Sequence, residues 1–117
     1  MVGAGDCLFC GIVARKIPAT IVLESDKSIA FRDINPKAPV HVLVIPKEHI
    51  DNLMALEAHH EKVLTDIHAM IQKVSRQEGV AESGFRVAVN NGKNAGQAVG
   101  HLHYHILAGR KLSWPPG

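Results

Sequence analysis

A chain of 117 residues, 46% hydrophobic and 21% charged, is long enough for one globular domain with a real core and too short for two. A net charge of +2, no Lys/Arg run, and only one Trp, one Tyr and three Phe argue against a nucleic-acid partner. No apolar stretch approaches the roughly 18 residues of a membrane span and no signal-peptide pattern is present, so a soluble cytoplasmic protein is expected.

Residues 1–6 are small and polar and predict a flexible tail before a domain over 7–117. Cys7 and Cys10 form a Cys-x-x-Cys pair, which in a reducing compartment suggests a metal or redox site before a disulfide; the plain alternative is two cysteines packed at a helix start. Leu8, Phe9, Ile12 and Val13 suit a short helix over residues 7–16, stopped by Pro18. Residues 20–24 and 28–33 read as a hairpin around the turn Ser25-Asp26-Lys27. Residues 40–45, β-branched apart from His41 and Leu43, predict a buried central strand ended by Pro46. Val63, Leu64, Ile67, Met70, Ile71 and Val74 recur at helical spacing within one long helix over residues 53–78, closed by Gly79. His59, His60 and His68 on or beside it are expected to be solvated. Residues 85–90 alternate as a strand, and a Gly- and Asn-rich loop follows to Gly100. The order predicts an α+β domain with a mostly antiparallel sheet.

The informative stretch is His101-Leu102-His103-Tyr104-His105-Ile106-Leu107. On a strand, with its side-chain period of two, the three imidazoles share one face and Leu102, Tyr104 and Ile106 the other. Same-face neighbours lie about 6.6 Å apart, so the row spans about 13 Å and suits separate roles along an extended polar substrate better than one shared ion. The preceding loop could turn main-chain N–H groups toward an anion, Gly96 allows close backbone approach, and Asn90 faces the same region. A neutral imidazole is a competent nucleophile toward phosphorus near pH 7, and a second one can donate to a phosphoryl oxygen or the leaving group. No Walker loop is present, and no Asp/Glu cluster would hold Mg²⁺.

Residues 101–107 match every position of the His-φ-His-φ-His-φ-φ signature, φ apolar, of the histidine-triad (HIT) superfamily. The resemblance extends to Cys7 through Ala19, to Phe31-Arg32-Asp33-Ile34, to His41 through His49, and to the Asn90-x5-Gly96-Gln97 loop. The C-terminus, ending Trp114-Pro115-Pro116-Gly117, resembles the Hint branch, the histidine-triad nucleotide-binding proteins. The resemblance implies a HIT fold: a mainly antiparallel five-stranded sheet with one long and one short helix, in a homodimer with a continuous sheet. It implies a hydrolase, similar to adenosine 5′-monophosphoramidases, that cleaves the P–N bond of purine nucleoside 5′-phosphoramidates through a nucleotidyl-histidine intermediate, with AMP or GMP as product. Carried over by position, His103 is the nucleophile, His105 contacts the phosphoryl oxygens and assists the leaving group, and His41 orients or tunes His103. Asn90, Gly96, Gln97 and Ala98 would line the phosphate site, and Asp33 would accept from the ribose hydroxyls. Phe9, Ile12, Phe31, Ile34 and Leu43 would form the slot for the base, although the residues alone read as plain core. Trp114 would lie by the site across the dimer interface.

The resemblance implies no catalytic cofactor. It does imply a structural zinc on Cys7, Cys10, His49 and His101, a closed Cys₂His₂ set that performs no chemistry. Two departures bear on rate and preference: Ala98 stands where Ser is usual, and Gly100 where a larger residue is common. Two other functions compete: a dinucleoside polyphosphate hydrolase or nucleotidyl transferase, against which the Trp-Pro-Pro-Gly ending argues, and a nucleotide-binding or interaction module with little turnover.

Overall fold

A computed structural model of the chain describes residues 7–117; the tail expected over 1–6 lies outside the described residues. Two helices, α1 (Leu8–Val13) and α2 (Glu61–Gln77), accompany five strands: β1 (Ile21–Glu24), β2 (Ser28–Arg32), β3 (Val40–Pro46), β4 (Phe85–Ala88) and β5 (Tyr104–Ala108). The strands form one antiparallel sheet in the order β1-β2-β3-β5-β4, so the histidine strand sits directly beside the central one. This is the expected α+β architecture.

Strand alternation divides the core between the two faces of the sheet. Ala30, Val42, Val44, Tyr104 and Ile106 point to one face and pack against Val63, Ile67, Met70 and Val74 of α2. Each fully buried aliphatic side chain there contributes about 1.5–3 kcal/mol. Ile29, Phe31, Leu43 and Ile45 point to the other face, where Cys7, Phe9 and Ile12 at α1 cover them. The 17 residues of α2 span about 25 Å, whereas the 6 of α1 span about 9 Å and cover only part of their face.

Several boundaries differ from the sequence reading. α1 ends at Val13, short of the expected Lys16; Arg15 takes a left-handed φ of 62° and the amides of Lys16 and Ile17 return to the Gly11 carbonyl. The Ile17 side chain packs against Gly11, and a Cβ there would have to displace its Cδ1 end. α2 begins at Glu61, not near residue 53. Leu56 and Glu57 are extended, two short 3₁₀ turns precede them or follow, and Glu57 with His60 forms a capping box that starts the helix afresh. Ala55 and Leu56 pack on the same core without being α-helical. His60 was expected to be solvated but is only 6% exposed: its Nδ1 accepts from the Glu57 amide and its Nε2 meets Glu48 at 3.1 Å. His59 and His68 are exposed. β4 stops at Ala88, two residues early.

The histidine strand also starts late, at Tyr104, with His101, Leu102 and His103 outside regular pairing. The last β3 partner of β5 is Val44, two residues before Pro46, which has no N–H to extend a ladder; the Leu102 amide bonds instead to the Ile50 carbonyl at 2.7 Å. Side-chain alternation survives, since Leu102 joins Tyr104 and Ile106 in the α2-facing core.

Candidate functional site

Where α1 falls short, a cavity of about 690 Å³ opens on the sheet, within the range of small-molecule sites. His103 and His105 line it from the β5 side, Phe31 and Leu43 from β2 and β3, and Phe9 and Ile12 from α1. Asp33 and Ile34, just past β2, form part of the rim, Ile34 wholly exposed; Asn90, Gly96 and Ala98 line it from the loop before β5. The fold thus brings together His103, His105 and most of the expected contact residues. The sequence reading missed Leu8, Ile17, Pro18, Ala19, Thr20 and Val99, which also line the cavity. Pro18 was legible only as a helix stop; the turn at Arg15 folds the segment after it onto the opening.

Hydrogen bonds fix the protons on the imidazoles. A main-chain N–H can only donate, so His41 Nδ1, 3.0 Å from the Lys37 amide, accepts, and the His41 proton lies on Nε2. That Nε2–H faces His105 Nδ1 at 2.9 Å, with Asp33 Oδ2 at 3.4 Å. His105 Nδ1 accepts, so its proton lies on Nε2, a buried atom without a partner among the described residues. His103 differs: its Nδ1 donates to the His101 carbonyl at 2.7 Å, which in the neutral ring places the lone pair on Nε2. One cavity wall therefore carries a bare ring nitrogen beside an orphaned ring N–H, with ring centroids 5.1 Å apart. His41 was expected to tune His103, but it touches His105. Burial first, then the neighbouring His103 and His41, pushes the His105 pKa down to about 4; burial also lowers that of His41, against the pull of Asp33.

One expected contact lies elsewhere. Gln97 does not line the cavity: its Oε1 accepts from the Gly92 amide, and its Nε2 donates to the carbonyls of Asp51 and Val99. The Gly96 and Gln97 amides are likewise committed within the loop, to Lys93 and Gly92 carbonyls, while Gly96 holds a φ of 80° that favours glycine. Gln97 shapes the loop from behind. Trp114 is 78% exposed, and its ring lies 5.7 Å from the Arg86 guanidinium on β4, away from the cavity.

Cys7, Cys10, His49 and His101 converge at the far end of α1, with ligand atoms all within 4.8 Å of one another. His101 Nε2 donates to the Pro46 carbonyl at 2.8 Å and His49 Nε2 to Asp51 at 2.8 Å. Both Nδ1 lone pairs therefore turn to the sulfurs: His101 to Cys7 at 3.3 Å and Cys10 at 3.5 Å, His49 to Cys10 at 3.1 Å. Ring nitrogens held bare by carbonyl and carboxylate acceptors on their far side are the arrangement a divalent ion requires. Burial, then the adjacent Cys7, raises the Cys10 thiol to about 11, so a Cys10 thiolate here needs a cation beside it. The donor set fits zinc.

The HIT domain family model matches residues 14–112. A HIT-like protein of Synechococcus elongatus is 48% identical over 112 residues, covering 96% of this chain and 97% of its own. A 14 kDa zinc-binding protein of Zea mays is 43% identical, covering 94% of this chain and 87% of its own. Among solved structures, the HIT family hydrolase of Legionella pneumophila superposes with a TM-score of 0.92 at 43% identity, covering 95% of this chain and 99% of that one. The histidine-lined cavity and the Cys/His cluster thus stand in a protein that belongs to the HIT family.

Proposed function

We propose that this protein hydrolyses purine nucleoside 5′-phosphoramidates to the nucleoside monophosphate and an amine. The observation that carries the reading is the pair of opposed ring nitrogens, bare on His103 and protonated on His105, in one nucleotide-sized cavity. His103 Nε2 attacks phosphorus, and the P–N bond breaks with its electron pair on nitrogen, which takes a proton from solvent. His103 then carries the nucleotidyl group as a cationic imidazolium, a good leaving group whose Nδ1–H remains on the His101 carbonyl. Water adds its oxygen to phosphorus, returns a proton to solvent and restores the Nε2 lone pair. His105 donates its Nε2–H to a phosphoryl oxygen as negative charge builds. Neither ring of the His41–His105 pair has a second proton to give, so His105 assists as a hydrogen-bond donor and not as the proton source.

Asp33 would hold the ribose hydroxyls, Asn90, Gly96 and Ala98 the phosphate side, and Phe9, Ile12, Phe31, Ile34 and Leu43 the purine. Cys7, Cys10, His49 and His101 would hold a structural zinc, which ties α1 to the sheet and supplies no step. The reading includes a homodimer: β4 is an edge strand with Phe85 and Val87 exposed, and pairing two such edges would make the sheet continuous and carry Trp114 toward the neighbouring copy. Two free cysteines suit the reducing cytoplasm. Among the described residues no helix is long and apolar enough to cross a membrane.

A turnover panel of adenosine and guanosine phosphoramidates against dinucleoside polyphosphates tests the reading. The phosphoramidates should turn over at least about tenfold faster, a difference of about 1.4 kcal/mol in transition-state binding. Preference for dinucleotides, or no turnover of either, would contradict it.

A further inference from the structure

His101 belongs to two structures at once. Its ring Nδ1 faces the sulfurs of Cys7 and Cys10, and its main-chain carbonyl accepts the Nδ1–H of His103. That second bond keeps the His103 Nε2 lone pair free. Phe9 makes a parallel link, because it lies on α1 between the two cysteines. Its ring packs edge-on against His101 at 5.9 Å, His103 at 5.1 Å and Phe31 at 5.4 Å. Leu8, Phe9 and Ile12 of the same helix wall the cavity. A helix of 6 residues is too short to hold itself, so its position depends on what anchors its ends. Its N-cap is Cys7.

We propose that His101 is a positioning residue for His103, and that loading of the Cys7–Cys10–His49–His101 cluster with a divalent metal sets both the His103 tautomer and the affinity of the nucleotide cavity. With both cysteines bound to a common cation, α1 is fixed at its N-cap, and the Phe9 and Ile12 walls are held against the sheet. The His101 ring is fixed by the same cation and by the Pro46 carbonyl, so its own carbonyl stays aimed at His103 Nδ1. Without the cation, the cluster is held by two S–H···N contacts of 3.1 and 3.3 Å, which are weak donors. The cation then takes no part in phosphorus chemistry, yet governs the nucleophile through one carbonyl and one phenyl ring. This rests on reading the cluster as a zinc site.

The test compares wild-type protein as purified, after chelation and after zinc is restored. Metal content is followed by mass spectrometry, AMP affinity by calorimetry, and the His103 tautomer by long-range ¹⁵N NMR. The expectation is close to one zinc per chain and a single Nδ1–H tautomer. Chelation should weaken AMP binding about tenfold, with a mixed tautomer at His103, and zinc should reverse both. Cys10→His, which replaces the sulfur ligand with a nitrogen one, should retain the metal and the tautomer; Cys10→Ala should lose both while helix content by circular dichroism is kept. If Cys10→Ala does not fold, the wild-type titration decides alone. Zinc that comes and goes with the tautomer unchanged and AMP affinity within twofold overturns the coupling. Protein that never binds zinc overturns the metal reading and the coupling with it. The phosphoramidate panel compares substrates on the same protein preparation, so failure of the coupling is distinguished from failure of the proposed function.

Discussion

The two faces of the β3–β5 pair come from alternate residues of the same strands, and they differ in nearly everything else. The face toward α2 carries Val42, Val44, Tyr104 and Ile106, is covered along its length and is packed shut. The opposite face carries His41, Leu43, His103 and His105, and is covered only where α1 reaches. The closed face supplies rigidity, because a well-packed core resists displacement of its strands. The open face uses that rigidity to hold a bare ring nitrogen and an unpartnered N–H at fixed separation. A buried donor without a partner costs about 1–3 kcal/mol, which the fold can bear because the packing behind it is complete.

Substitution on each face should break different things. His103→Ala should lower phosphoramidate turnover by more than about 10³-fold, since the nucleophile acts as a unit with its donors, while AMP affinity stays within about tenfold and Tm is little changed. Residual activity within tenfold of wild type would refute its role. Ile106→Ala, one position from His105 but on the closed face, should do the reverse. It should cost about 2–5 kcal/mol in denaturant unfolding and leave AMP affinity in the folded protein within a few-fold. A cost below about 1 kcal/mol would mean that this face is less tightly packed than the structure shows.

Acid should act in part through the open face. His105, held near 4, and His41, also lowered, remain neutral in the fold but protonate near 6.5 once the chain unfolds. The unfolded state then binds more protons, so stability is complete above about pH 6.5 and falls as the pH drops toward 4. His105→Gln has no such proton to gain, and its Tm should fall less than that of wild type between pH 7 and pH 5. Equal losses in the two proteins would mean that His105 is not held neutral.

The smallest effect is expected at Ala98, exposed on the cavity-lining loop. A hydroxyl there could add one hydrogen bond to a charged oxygen or the departing nitrogen, worth roughly 1.5–3 kcal/mol at full strength. Ala98→Ser should raise kcat/KM on an adenosine phosphoramidate by about three- to thirtyfold with AMP affinity little changed. A flat or lower value would show that the loop already compensates.

The legible parts of the sequence were those where one local rule decides. Alternation at 101–107 and the β-branched run at 40–45 reported which side chains share a face, and that holds even where His101 to His103 leave the ladder. The long helix expected from residue 53 begins only at Glu61, because Leu53, Ala55 and Leu56 suit two 3₁₀ turns beside the core as well as they suit an α-helix. The partners of polar side chains were beyond local rules. That His41 serves His105, that Gln97 is spent on Gly92, Asp51 and Val99, and that the His101 carbonyl holds His103 all depend on contacts made across the fold.

The central claim is that His103 Nε2 is the attacking atom. Rapid quench of the protein with an adenosine phosphoramidate, followed by peptide mass spectrometry, tests it most directly. The account predicts a transient adenylyl adduct on His103 that forms with amine release, decays with AMP release and is absent from His103→Ala. Full turnover with no adduct on any histidine, or an adduct on His105 or His41 instead, would contradict it.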